Sequence, residues 1–322
     1  MQAMILDALR HERWVSGEKL GEKLHISRTA VWKHINELRK NGYQIDSSPR
    51  LGYSLIEPPD LLLPDEISNG LETRVIGKNV LHYSEITSTQ DAAAEFAKNG
   101  IAEGTVVIAE TQTNGRGRKG RKWISPSKGG VYLSIILRPN VTPLQTIQMP
   151  LIAGVAVLKA IHKASHVAPK IKWPNDIIIG GKKVAGILTE MNCEIDLVNY
   201  IILGIGVNVN TPKSVMEKVP GGIANSLANE CGGRVSRVKL VQYLLNEFEN
   251  IYTEFRANGF RSIREEWKVS SNTIGSWVKI SDGLDKEGIE GQAFDIDEDG
   301  FLLVRKKSGD LVKVISGEVL LN

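Results

Sequence analysis

The chain has 322 residues, 42% hydrophobic and 24% charged, with a formal net charge of +3. This composition excludes a disordered chain and gives about two domains at roughly 150 residues each. The near-neutral balance excludes a whole-molecule electrostatic grip on nucleic acid, so any such binding rests on a local patch. Cys193 and Cys231 lie far apart and form no CxxC, which argues against a disulfide framework and for a cytoplasmic setting. No apolar run approaches the ~20 residues of a membrane span. The first thirteen residues carry acids and lack a small-residue cleavage site, so they do not read as a signal peptide.

Met4, Ile5, Leu6 and Leu9 have helical spacing, and residues 17–24 suggest a second short helix. After a break at His25-Ile26, Ser27 is a good N-cap for a third helix, with Val31, Ile35 and Leu38 on one face and Gly42 at its end. Residues 43–45 and 52–56 flank Asp46-Ser47-Ser48-Pro49-Arg50 and read as a hairpin. Helix, helix, turn, helix, hairpin is the order of a winged helix-turn-helix. Burying the apolar stripe turns Arg28, Thr29, Trp32, Lys33 and Asn36 outward, the face a recognition helix presents to the major groove, and sets Arg50 at the tip of a wing. Residues 1–60 hold nine Lys/Arg against eight Asp/Glu. One unit is therefore too weakly positive for tight DNA binding, and useful affinity calls for two units on a two-fold site. The competing reading is a winged helix used only for protein contacts.

Pro58-Pro59 and Pro64 mark a linker, and Leu61-Leu62-Leu63 within it suggests packing rather than a free tether. Strand-like stretches follow at 80–84, 105–110, 131–137, 177–179, 184–190 and 200–209, with Gly180-Gly181 as a tight hairpin turn. Helical patterns cover 90–99, 147–164 and 238–258. Several strands follow one another without helices, so an α+β sheet is expected rather than a doubly wound parallel one. Short strands at 277–280, 291–296, 301–305 and 311–315 look like a small C-terminal SH3-like β-barrel. The domains read as 1–62, 63–271 and 272–322.

Asn114-Gly115-Arg116-Gly117-Arg118-Lys119-Gly120-Arg121-Lys122 holds five cations, three glycines and no acid. It cannot pair with itself, and its glycines let the backbone approach a ligand, so its natural partner is a polyanion. The bland alternative is a solvated basic hairpin. Gly115, Gly117 and Gly120 spell G-x-G-x-x-G, but a strand follows where a dinucleotide fingerprint requires a helix. There is no H-R-D, D-F-G, G-x-x-x-x-G-K-[ST] or G-x-S-x-G, which removes kinase, P-loop and serine-hydrolase readings. Lys172-Trp173-Pro174-Asn175-Asp176 offers a cation, an indole, an amide and a carboxylate together, against the alternative of Trp173 in the core and Lys172 on the surface. Thr87-Ser88-Thr89-Gln90 supplies hydroxyls at a strand-to-helix turn, and Gly204-Ile205-Gly206-Val207-Asn208 leaves room for something flat. His162 and His166 lack the glutamate of H-E-x-x-H and a third ligand, so no zinc site and no protein ligands for a metal are assigned.

These strings, with Lys183-Val184-Ala185-Gly186-Ile187-Leu188, occur together and in order, and the chain resembles the biotin protein ligases over essentially its whole length. With residues 1–56 in front, it is similar to the bifunctional form that is also the biotin operon repressor. The resemblance implies activation of biotin by ATP to biotinyl-5′-adenylate, with Mg²⁺, and transfer to a lysine of a carboxylase carrier domain. It implies biotin contacts from Ser88, Thr89, Gln90, Gln112, Gly115, Arg116, Gly117, Arg118, Lys183, Gly186, Leu188, Gly204 and Gly206. It implies adenylate contacts from Arg118, Arg121, Trp123, Lys172, Asn175 and Asn208, with Trp123 stacked on the purine. Lys183, Arg116, Arg118 and Asp176 would carry the chemistry. A dimer bound to operator DNA when the adenylate is present also follows from the resemblance. The alternatives are a ligase whose N-terminal domain does not bind DNA, a lipoate ligase, and a transcription factor with a small-molecule sensor domain.

Overall fold

The computed structural model describes residues 1–195, 197–219, 223–281 and 288–321. The chain divides into two compact units, Met1–Leu61 and Leu62–Asn322. The first holds α1 (Gln2–His11), α2 (Gly17–Leu24), α3 (Arg28–Lys40) and the antiparallel pair β1 (Gln44–Ser48) and β2 (Gly52–Glu57). Both inner helices are capped by serine. Ser16 Oγ accepts from the Lys19 N–H at 3.0 Å, and Ser27 Oγ from the Ala30 N–H at 3.2 Å. Val31, Ile35 and Leu38 are buried with Ile5, Leu6 and Leu20. The turn between α2 and α3 depends on Gly21, where an added Cβ would sit 2.7 Å from the Ile26 carbonyl oxygen. The winged helix-turn-helix order is the one observed.

The second unit contains α4 (Pro64–Ser68), β3 (Val80–Tyr83), α5 (Thr89–Lys98), β4 (Val106–Ala109), β5 (Gly130–Leu137) and α6 (Met149–Ser165). It continues through β6 (Lys170–Lys172), β7 (Asp176–Ile179), β8 (Lys182–Glu194), β9 (Leu197–Asn208), α7 (Lys213–Met216), α8 (Leu227–Cys231), α9 (Arg237–Asn258) and α10 (Arg261–Ser270). It closes with β10 (Trp277–Ser281), β11 (Ile289–Ile296), β12 (Leu302–Arg305), β13 (Leu311–Val314) and β14 (Glu318–Leu321). Seven strands form one sheet in the order β3-β4-β5-β9-β8-β7-β6. β3 and β4 are parallel, joined through α5, and the other ladders described in this sheet are antiparallel. Gly180 and Gly181, both at positive φ, make the predicted turn between β7 and β8.

Strand alternation divides this sheet into two working faces. Leu133, Ile135, Ile187, Leu203, Ile205 and Val207 join α6 and α9 in the main core. Ile136 and Ile202 face the other way, against Ala93 and Ala97 of α5. Leu62 is fully buried in the main core, so the apolar linker does pack. The sequence reading saw no apolar run of membrane length, yet Leu144–Ser165 reaches it by length and composition, with mean hydropathy 1.5. Gln145, Thr146, Gln148, Lys159 and His162 interrupt the run without lowering its average below that level. This segment is 67% buried within the unit, as the central helix of its core.

The C-terminal strands form an antiparallel sheet in the order β13-β12-β11-β10-β14. Val278, Ile280, Ala293 and Val304 belong to the same core as the seven-stranded sheet. Residue 272 thus marks a change of sheet within a continuous core. Trp173 makes the join: it is 1% exposed, its N–H donates to Thr273 Oγ1 at 2.9 Å, and its indole Nε1 donates to the Gly300 carbonyl at 3.2 Å. Trp173→Ala should therefore cost about 3–5 kcal/mol of stability, the usual range for deleting a buried aromatic. Denaturant unfolding of the full chain checks this, and a loss below about 1 kcal/mol would contradict the packing described here.

Candidate active site

The face of the sheet shared with α5 carries a cavity of about 910 Å³. The alternation that buries Leu133, Leu203 and Ile187 turns Tyr132, Ser134, Gly186, Leu188, Gly204, Gly206 and Asn208 towards it. The ladders put Ser134 opposite Gly204 and Gly204 opposite Leu188; beside them Tyr132 faces Gly206 and Gly206 faces Gly186. The missing side chains of three glycines leave a shallow floor. Loop 111–129, the start of α5, and residues 172–176 wall it. All the residues proposed from sequence for biotin and adenylate line this cavity except Gly115. Gly115 is packed within the loop, where an added Cβ would lie 2.7 Å from the Trp123 carbonyl oxygen.

One end of the cavity is a polar network. Gln112 Oε1 accepts from both the N–H and the Oγ1 of Thr89, at 2.9 and 3.1 Å, and its Nε2 donates to Ser125 Oγ at 3.0 Å. Ser134 Oγ lies 3.0 Å from both Thr89 Oγ1 and Gln90 Oε1, and Gln90 Nε2 donates to the Ile202 carbonyl. Ser88 caps α5 through the Gln90 N–H. Such a cluster of buried hydroxyls and amides is suited to a small, flat, polar ring. Over the floor lies the Trp123 indole. An added Cβ would meet it at 2.6 Å from Gly206 and 3.1 Å from Gly186. The indole Nε1 is buried and finds no hydrogen-bond partner among the described residues.

The other end is cationic. Lys183 Nζ pairs with Asp176 Oδ1 at 2.6 Å and stands 5.4 Å from the Trp123 ring centre. Arg118 donates to Asn175 Oδ1 at 2.9 Å. Burial lowers the Arg118 pKa, opposed by the charges of Asp176 and Glu318. Arg121 makes a two-pronged pair with Glu318, the first residue of β14. Hydrogen bonding from Arg121 holds the Glu318 carboxyl below its ordinary pKa, against the opposing effect of burial. Arg116 is anchored to Asp91 at 2.6 Å and Glu190 at 3.3 Å, so its guanidinium ties the loop to α5 and β8. Lys172 and Asn208 line the same cavity. Lys182, in contrast to Lys183, is exposed.

Ser134, Asp91, Glu190 and Glu318 were missed from sequence. Ser134 did leave a signal, a lone hydroxyl in the apolar strand Gly130–Leu137. Glu318 left none, because it stands 197 residues from its partner. In the first unit, Arg28, Thr29, Lys33 and Arg50 are exposed, and Trp32 is 54% exposed, as the apolar stripe requires. Asn36 is half-buried, and its Oδ1 accepts from Arg39 at 3.4 Å.

Residues 83–208 match the Biotin/lipoate A/B protein ligase family, residues 2–54 an HTH domain, and residues 273–321 the Biotin protein ligase C terminal domain. The chain is 41% identical over 308 residues to the bifunctional ligase/repressor BirA of Bacillus subtilis, covering 95% of this chain and 93% of that one. It is 32% identical over 320 residues to the protein of the same name from Escherichia coli, covering 98% and 96%. The biotin protein ligase of Aquifex aeolicus, solved with biotin and ATP, superposes with a TM-score of 0.63 at 29% identity, covering 76% of this chain and 99% of that one.

Proposed function

The chain belongs to the biotin protein ligases, in their bifunctional ligase/repressor form, and we propose that the cavity on the α5 face carries both halves of the ligase reaction. The protein is an ATP-dependent biotin–[carboxyl carrier protein] ligase and a helix-turn-helix repressor, with biotin and ATP as substrates. One observation carries the residue assignment. Segments 88–90, 112–123, 172–176, 183–188 and 204–208, far apart in sequence, line a single cavity.

Biotin's carboxylate is a poor acyl donor until one oxygen becomes part of a leaving group. In the first half, that oxygen attacks the α-phosphorus of ATP. The bond to the bridging oxygen breaks, and pyrophosphate leaves with the electron pair. Both reactants are anions, so fixed cations at the point of contact lower the barrier. Lys183 and Arg118 supply that charge, and Asp176 and Asn175 aim them. Ser88, Thr89, Gln90 and Gln112 receive the ureido ring. Gly186, Leu188, Gly204 and Gly206 receive the apolar bicycle once the Trp123 indole has moved, and the indole then stacks on the purine. Gly117 and the backbone beside Arg116 close over the ring. Arg121, Lys172 and Asn208 lie towards the nucleotide.

In the second half, the carrier's lysine attacks as the neutral amine. The amide bond forms, the acyl–oxygen bond breaks, and AMP departs. No enzyme nucleophile enters either half. Among the described residues no three His, Cys, Asp or Glu gather as a metal cluster, and Asp176 and Glu318 each hold a cation. Mg²⁺ is accordingly assigned to the ATP phosphates, where it adds charge neutralisation when bound. ATP, carrier protein and DNA meet in the cytoplasm, which is where we assign the protein.

Lys183→Ala should lower kcat by about a hundredfold or more, with a smaller change in KM, because the ammonium acts mainly on the transition state. Lys182→Ala should stay near wild type. Biotin-dependent pyrophosphate exchange measures both, and equal losses would contradict the assignment.

The repressor half rests on α3. With nine cations against eight acids in residues 1–60, one copy holds DNA weakly, and the working form is a dimer favoured by bound biotinyl-adenylate. Arg28→Ala combined with Lys33→Ala should weaken operator binding about tenfold or more at fixed salt and leave ligation intact. A gel shift on the DNA upstream of the organism's biotin genes checks this. Unchanged affinity would remove α3 from the DNA interface.

A further inference from the structure

Arg237, the first residue of α9, is wholly buried. Its Nη1 donates to Glu110 Oε2 at 2.7 Å and to the Gly130 carbonyl at 3.2 Å. These acceptors mark the two ends of one loop, for Glu110 follows β4 directly and Gly130 opens β5. Gln112, the cationic run and Trp123 all leave and return between them. The ladder between β4 and β5 makes its last rung at Ala109 and Tyr132, so Arg237 grips the two chains just beyond the point where their own pairing stops. The carboxylate is itself held from other sides. Glu110 Oε1 accepts from the Leu62 N–H at 2.7 Å, and His82 Nε2 stands 3.6 Å away.

A buried ion pair is weak evidence of stabilisation, because the desolvation of both charges offsets their attraction. An apolar pair of similar volume fills the same space at no loss of stability in many proteins. What an apolar pair does not do is hold a carboxylate and a backbone carbonyl at a fixed separation. That separation sets the width of the loop's base. Gln112 lies two residues beyond Glu110, so a shift there carries directly into the bonds from Gln112 to Thr89 and Ser125.

We infer that Arg237 and Glu110 are positioning residues of the ligase reaction, a buried staple that fixes the base of the substrate loop over β8 and β9. The inference rests on the ligase reading of the cavity. Neither residue lines the cavity, so both act through the loop alone.

The test uses the full chain carrying Glu110→Leu with Arg237→Met, a charge-free pair. Unfolding midpoint, dissociation rate of preformed biotinyl-adenylate, and trypsin cleavage within residues 116–122 with adenylate bound are all measured. A folded variant should release the adenylate about tenfold faster and be cut in the loop that adenylate protects in wild type, since misplacement by about an ångström costs this much or more. Wild-type release and protection in the folded variant would overturn the inference and leave the staple a folding element. If the double variant does not fold, Glu110→Gln decides. It keeps an oxygen for the Leu62 N–H while weakening the hold on Arg237, so faster release supports the staple and unchanged release overturns it. Failure of the wild-type chain to form adenylate from biotin and MgATP would strike the ligase reading instead.

Discussion

Two anions, a carboxylate and a triphosphate, have to be brought into contact in this cavity. The cations that make this possible repel one another while the cavity is empty. The protein meets that constraint with internal counter-charges. Lys183 rests on Asp176, Arg121 on Glu318, and Arg116 on Asp91 and Glu190. Each carboxylate comes from a different element: β7, β14, α5 and β8. The loop is thus tied to four parts of the second unit through charge, while its glycines keep its backbone adaptable.

The same arrangement holds for the apolar part of the site. The glycine floor of β8 and β9 is the one place on this face where a flat group can lie against the sheet. With no ligand bound, the Trp123 indole lies there. Substrate binding is therefore an exchange. Ligand anions replace carboxylates at the cations, and the biotin bicycle replaces an indole at the glycines. Only the difference in strength between the two sets of contacts appears as affinity. Such exchange also ties loop position to ligand, which suits a protein whose adenylate complex has a second task on DNA.

Local pattern was legible in the sequence. Ser27 announced its cap, the stripe of Val31, Ile35 and Leu38 announced the face of α3, and Gly180-Gly181 announced its turn. The substrate loop stood out because five cations without an acid cannot be an ordinary surface segment. Strand alternation, once the strands were placed, separated Gly204 and Gly206 from the core-facing Leu203 and Ile205. What stayed hidden was pairing over distance. Nothing near Glu318 says that Arg121 lies against it, and nothing near Arg237 says that it spans Glu110 and Gly130. Asp91 and Glu190 look like ordinary solvated acids until the fold brings Arg116 between them. Trp173 and Trp123 show the same limit: both are indoles beside cationic strings, yet one is a buried join between two sheets and the other covers the site.

The position of the Trp123 indole tests the exchange most directly. Tryptophan fluorescence of the full chain, less that of a Trp123→Phe variant, isolates this side chain from the other five. Saturating biotin alone should shift that difference spectrum to the red as the indole leaves the glycine floor for a wetter position, and MgATP should then shift it again as the purine covers the ring. A difference spectrum that saturating biotin leaves unchanged, in protein shown to have bound it, would mean that the indole does not occupy the biotin slot and that binding there is no exchange.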